Sequence, residues 1–109
     1  MRQYSSVILL GHKVILVLND GDGSARCIED KDGRFIMEFN GLMTDRIMTH
    51  ECWHMMFMVL DRCEKEKVSF KELISEVYAY TFEDFCVNVK YKITGMRLYK
   101  RIYGQKGKD

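Results

Sequence analysis

Residues 7–20, "VILLGHKVILVLND", decide how the first part of the chain folds. Residues 7–10 and 14–18 are short apolar runs rich in β-branched side chains, which are typical of β-strands. Residues 11–13, Gly-His-Lys, are few enough to form a tight turn between them. Residues 19–23, "NDGDG", are a strong turn signal. The stretch therefore predicts two strands joined as a hairpin, with His12 as a surface histidine of no assigned role.

Two more strand patterns follow before residue 40. They are "SARCIED" at residues 24–30 and "RFIMEFN" at residues 34–40, separated by an Asp-Gly turn at residues 32–33. In the second pattern Phe35, Met37 and Phe39 alternate with other residues, which predicts a strand with one drier face. Residues 1–40 are therefore predicted to form a small antiparallel sheet of three or four strands.

Residues 44–64 are predicted to form a long helix. Thr44 or Asp45 can cap its N-terminus, and the helical pattern runs to Cys63 or Glu64. Residues 47–60 are apolar nearly all round the helix, which predicts burial on most sides.

A second helix is predicted to fold back antiparallel to the first. Ser69 and Glu72 form an S-x-x-E capping box for its N-terminus. Residues 86–93 fit both a strand alternation and a helical stripe, and we predict helix to about Lys92. The fold class is then α+β in one domain, with residues 1–40 as sheet, 44–93 as helices and 94–109 as a basic, solvated tail.

The composition narrows the function classes. The chain has 109 residues, 47% of them hydrophobic and 30% charged, with a net charge of +1. This balance predicts neither nucleic acid nor a membrane as partner, and no run approaches the roughly 20 apolar residues of a membrane span. The four cysteines form no CxxC pair, which favours free thiols in a cytoplasmic protein. A chain this short would gain stability from a bound metal or from a second copy in a homo-oligomer.

The stretch "THECWHMM" at residues 49–56 carries the clearest chemical pattern. Positions i and i+4 lie on one face of a helix, so His50 and His54 can direct their imidazoles at one ion. Zinc binds neutral imidazole well. Glu51 is one step round the helix and can reach a water on the metal as a general base. The uncharged neighbours predict a dry site.

A catalytic zinc needs a third protein ligand. If the second helix runs antiparallel, Glu76 comes level with the motif inside the apolar stretch "LISEVYAY", where an unpaired carboxylate is costly. Glu72 is the alternative, but its capping role explains it. Tyr80 lies one turn after Glu76 and could stabilise an oxyanion, although core or rim packing is the favoured explanation of this tyrosine. An edge strand of the sheet could hold an extended peptide.

The order "THECWHMMFMVLD…SEVYAYTFEDF" resembles the small gluzincin-type HExxH zinc metallopeptidases. More loosely, it is similar to small phage-encoded HExxH proteins. The resemblance covers roughly residues 44–86 and implies a minimal zincin-like domain that binds one zinc ion and cleaves a peptide or protein substrate. It implies His50, His54 and Glu76 as zinc ligands and Glu51 as the base. Val77 departs from the phage-like pattern, which often has Ala there.

Two other functions fit the same residues. The zinc could serve only to stabilise a small binding protein. Alternatively, the chain could be a metal-free interaction protein, such as a phage accessory factor, whose Met-rich helix "HMMFMVL" packs against a partner. HExxH fixes only three positions, so histidines hydrogen-bonded in a core helix would produce the same pattern by chance.

Overall fold

The protein is an α+β fold with the sheet before the helices, as the sequence predicts. Among the described residues a four-stranded sheet precedes three helices, one helix more than the sequence predicts. The computed structural model describes residues 2–66 and 76–106, and the side chains of all of these except residues 76–78 and 105–106. The elements are β1 (Arg2–Leu9), β2 (His12–Asn19), β3 (Ala25–Glu29), β4 (Phe35–Asn40), α1 (Asp45–Lys65), α2 (Glu76–Thr94) and α3 (Arg97–Lys106). Within these described residues no helix is both long and apolar enough to cross a membrane.

The sheet is mixed, so the prediction of a purely antiparallel sheet is wrong. The strand order is β1-β2-β4-β3. β1 pairs with β2, and β3 with β4, in antiparallel fashion, whereas β2 and β4 are parallel. After β2 the chain forms β3 at the outer edge of the sheet, and it then returns as β4, which lies between β2 and β3. Side-chain alternation is the same in both kinds of pairing, so the sequence pattern does not distinguish them.

The β1–β2 hairpin turns one residue earlier than predicted. Leu9 pairs with His12, which leaves Leu10 and Gly11 as a two-residue turn. Their φ angles are 51° and 78°. Positive φ at both central residues is the geometry that matches the twist of paired strands. As a result His12 is the first residue of β2 rather than part of the turn.

The helices cover one face of the sheet. On that face Val14, Leu16 and Leu18 of β2 and Met37 and Phe39 of β4 are completely buried. α1 packs on β3 and β4, and α2 packs on β1 and β2. Alternate residues of the strands point to the opposite face, where Val17 is also buried.

α1 begins and ends close to the predicted residues. The Thr44 hydroxyl oxygen accepts a hydrogen bond from the Ile47 backbone N–H at 3.1 Å, which caps the helix. The prediction that α1 is buried on most sides is wrong, however, because the sheet and α2 cover only part of the helix surface. Met55 is completely buried, whereas Trp53 is 53% exposed and Phe57 is 52% exposed.

α1 and α2 run antiparallel. The rings of Trp53 and Phe82 lie 5.5 Å apart between centroids. Towards the other end of the pair, Lys90 Nζ lies 3.9 Å from Asp45 Oδ1. Helix continues through residues 86–93, which confirms the helical interpretation of that segment. The predicted capping box at Ser69 lies outside the described residues.

Residues 97–106 are a helix and not a solvated tail. Leu98 and Ile102, spaced i and i+4 among charged residues, are buried against the core. The Gln3 side-chain oxygen accepts a hydrogen bond from the Leu98 backbone N–H at 2.7 Å, which satisfies a donor in the first turn of α3. The high charge of this segment obscured its narrow apolar stripe.

Candidate metal centre

The two histidines of the motif meet on the exposed face of α1. His50 Nε2 and His54 Nε2 are 3.0 Å apart, and their ring centroids are 4.6 Å apart. Two nitrogens on a tetrahedral zinc are separated by about 3.3 Å when each Zn–N bond is about 2.0–2.1 Å. The pair therefore fits two ligands of one zinc ion with little adjustment. Both rings are exposed to solvent, so the prediction of a dry site is wrong for the ligands.

Glu51 is the buried member of the motif. Its residue is 8% exposed, and it accepts from the Cys27 thiol of β3, whose sulfur lies 3.1 Å from the Glu51 backbone oxygen and 3.2 Å from Oε2. Burial raises the pKa of that thiol, and the hydrogen bond to Glu51 and the charge of Glu51 raise it further. Cys27 therefore stays protonated and donates. This contact holds the carboxylate from the sheet side, while its other lone pairs remain available.

A groove of about 630 Å³ runs between α1 and the edge strand β3. One wall is the strand, with Arg26 and Cys27, and the other is the helix, with Glu51, His54 and Phe57. The outer edge of β3 pairs with no strand among the described residues. The candidate base, one candidate ligand and a free strand edge thus share one groove.

Aromatic side chains form the exposed wall beside this groove. Trp53 packs edge-on against Phe57, with centroids 4.7 Å apart, and against Phe82 of α2. Since Phe57 lines the groove and is half exposed, it offers an apolar surface to a side chain that enters there.

No described side chain completes a three-ligand set with the histidine pair. The Glu76 side chain lies outside the described part of the structure, and Glu72 lies wholly outside it. Phe82 is level with Trp53, and Glu76 is six residues before Phe82. The Glu76 backbone therefore lies about 9 Å beyond Trp53 along the helix axis, towards the C-terminal end of α1, and is not level with the motif. Glu76 as third ligand stays a prediction. The role of Tyr80 as an oxyanion donor also stays a prediction. Its side chain is 63% exposed.

A second group of potential ligands was missed from the sequence. His12, Cys63 and Glu66 bring their ligand atoms within 4.8 Å of one another. The only local signal is the i, i+3 spacing of Cys63 and Glu66 at the end of α1. The histidine comes from β2, and only the packing of α1 on the sheet brings it to the helix.

The Cys27 thiol should resist alkylation in the native, metal-free protein. Because its pKa is raised above its ordinary value of 9.0, little thiolate forms near neutral pH. Glu51→Gln removes the adjacent negative charge and should lower this pKa, so alkylation at pH 8 should become faster. Iodoacetamide modification followed by peptide mass spectrometry measures both rates. Equal rates in the two proteins, with Glu64→Gln as control, would contradict the assigned contact.

The raised pKa of Cys27, caused first by burial and then by the contact with Glu51, gives a pH dependence of stability. A thiol whose pKa is raised by folding favours the folded state while it is protonated. Its contribution is therefore complete below the ordinary value of 9.0 and is lost as the pH rises above it. The free energy of unfolding should fall between pH 7 and pH 10, and it should fall less for Cys27→Ala than for the wild type. Urea unfolding of both proteins at the two pH values measures this difference.

No protein-family model, curated protein or solved structure matches the chain.

Proposed function

We propose that this protein is a zinc-dependent metallopeptidase that cleaves a peptide bond in the groove between α1 and β3. One observation carries the proposal. His50 Nε2 and His54 Nε2 lie 3.0 Å apart, a hydrogen-bond distance that is also close to the spacing of about 3.3 Å between two zinc ligands, and His54 shares its groove with the buried carboxylate of Glu51. Because both imidazoles are exposed to solvent, an ion can reach them.

Each proposed site residue has a separate role. His50, His54 and Glu76 would hold the ion. When bound, zinc lowers the pKa of a coordinated water to about 7 and polarises the carbonyl of the scissile bond. Glu51 accepts the proton of the attacking water and passes it to the leaving amine. Tyr80 is the proposed donor to the oxyanion.

The substrate is an extended peptide segment that adds to the free edge of β3. Backbone N–H and C=O groups of an edge strand bind such a segment without regard to its sequence. Selectivity would come from Phe57, which offers apolar contact to one side chain of the peptide. All four cysteines are free thiols, which supports a reducing compartment, and we place the protein in the cytoplasm.

Metal analysis of untagged protein tests the proposal. After loading with zinc, the wild-type protein should contain one more zinc ion per chain than His54→Ala. The variant keeps only the His50 imidazole of the pair, which cannot retain the ion alone. Thr49→Ala is a matched control, since Thr49 is also exposed on α1, one residue before the motif. Equal zinc content in wild type and His54→Ala would exclude the enzyme. Glu76→Gln should lower the zinc affinity as well if Glu76 is the third ligand.

A non-catalytic zinc-stabilised protein is the second candidate. The hydrogen bond from Cys27 to Glu51 favours it, because that contact also explains why Glu51 is buried. In this case zinc would bind and raise the unfolding temperature, but no peptide would be cleaved. The two candidates differ in the behaviour of Glu51→Gln.

A further inference from the structure

We propose a second metal site, separate from the histidine pair, in which His12, Cys63 and Glu66 bind one zinc-type divalent ion. A bound ion would connect the start of β2 to the C-terminal end of α1. It does not depend on the proposed peptidase function, because it uses no residue of the HExxH motif.

The distances fit a single ion. His12 Nε2 and Glu66 Oε2 are 3.3 Å apart, whereas a charge-assisted N–H···O hydrogen bond is shorter, at about 2.7–2.9 Å. Donors on a tetrahedral zinc are separated by about 3.3–3.7 Å, given bonds of about 2.0–2.3 Å. The Cys63 sulfur lies within 4.8 Å of both other ligand atoms. The His12–Glu66 distance is that of a long hydrogen bond or salt bridge, and it also matches two donors that share one metal ion.

The three residues are held in place by packing on both sides. Cys63 is 6% exposed and belongs to the core, so its sulfur has few alternative positions. The His12 ring packs edge-on against Phe35, with centroids 5.9 Å apart. Glu66 is the C-cap of α1, and its backbone N–H donates to the carbonyls of Arg62 and Cys63 at 3.1 Å. The side chains of Cys63 and His12 are therefore held by packing, whereas Glu66 is fixed at its backbone.

The local charge favours a cation. The site lies at the C-terminus of a 21-residue helix, where the helix dipole attracts positive charge. A thiolate and a carboxylate together balance a divalent ion. The neighbouring cation, Arg62, is already paired with Glu29 and stacked over the Phe35 ring at 4.7 Å.

The donor set selects the class of ion. Calcium and magnesium take oxygen ligands almost exclusively. A set of one nitrogen, one sulfur and one oxygen suits zinc and other transition metals of similar softness. With three donors from the chain, the fourth position is left to solvent.

Cobalt(II) titration of metal-free protein tests the site. Co²⁺ replaces Zn²⁺ and gives a near-ultraviolet thiolate charge-transfer absorption only where a cysteine is a ligand. Wild-type protein should show this absorption, and Cys63→Ser should lose it. The HExxH site contains no sulfur, so His54→Ala should keep the absorption. This outcome separates failure of the second site from failure of the proposed function.

Glu66→Gln gives a second test that does not touch the core, because the Glu66 side chain is half exposed. Loss of a second-shell partner commonly costs 10–100-fold in metal affinity, so loss of a direct ligand should weaken Co²⁺ binding by at least about tenfold. Glu64→Gln removes the same charge from the exposed side of the same turn and should bind like the wild type. Circular dichroism verifies that each variant is folded. Absorption that is absent from the wild type, or that persists in Cys63→Ser, would overturn the proposal, as would equal affinities of Glu66→Gln and Glu64→Gln.

Discussion

Glu51→Gln should remove peptide hydrolysis and leave the bound zinc in place. A glutamine oxygen can still accept the hydrogen bond from the Cys27 thiol, so the fold and the groove should survive. The amide cannot take a proton from water, and loss of a general base lowers the rate by about 10²–10⁴-fold. Cleavage of a fluorogenic peptide library, measured beside zinc content, gives both quantities on one sample.

Asp61→Asn is the control for Glu51→Gln. Asp61 also lines the groove, so its substitution removes the same charge from the same cavity without removing the proposed base. Its activity should stay near that of the wild type. Undiminished hydrolysis by Glu51→Gln would show that Glu51 is not the base. Zinc-loaded wild-type protein that cleaves nothing would leave the zinc-stabilised binding protein as the function.

Gly41→Ala should be among the most destabilising single substitutions in the chain. Gly41 has a φ of 97°, and a Cβ atom there would lie 2.5 Å from the carbonyl oxygen of Gly21. The left-handed backbone costs a side chain about 1–2 kcal/mol, and forced backbone displacement adds about 1–3 kcal/mol. We expect a loss of about 2–5 kcal/mol, a large part of the stability of a small domain.

Gly104→Ala is the matched control for this prediction. Gly104 lies in α3, and a Cβ atom there would meet no atom within 4 Å. Alanine is the better helix former, so this variant should be more stable by about 0.5–1 kcal/mol. Urea unfolding of the three proteins checks both signs. A Gly41→Ala midpoint equal to that of the wild type would contradict the close approach of the two chain segments.

Local features of the fold were predictable from the sequence, and non-local ones were not. The helical stretch of residues 45–65 and its Thr44 cap follow from side-chain periodicity and from one hydroxyl group. The parallel pairing of β2 with β4 does not, because it depends on where β3 docks and not on the pattern within any strand. α3 was missed because its buried positions are only two residues among many charges.

The candidate site shows the same division. The contact between His50 and His54 follows from the pitch of one helix. Which side of that helix faces the core depends on the sheet, and here it is Glu51, not the histidines, that is buried. The grouping of His12 with Cys63 joins a strand to a helix more than 50 residues away in the sequence, so no spacing rule within one element could reveal it.

The hydrogen bond from Leu98 to Gln3 joins residues that are 95 positions apart. On the ribosome Gln3 of β1 is therefore made 95 residues before Leu98 of α3. Until α3 is made, the nascent sheet lacks this part of its cover, and the apolar residues beneath it stay accessible. Incomplete domains of this kind are prone to aggregation, so co-translational chaperones should improve the yield of this protein more than those that act after release.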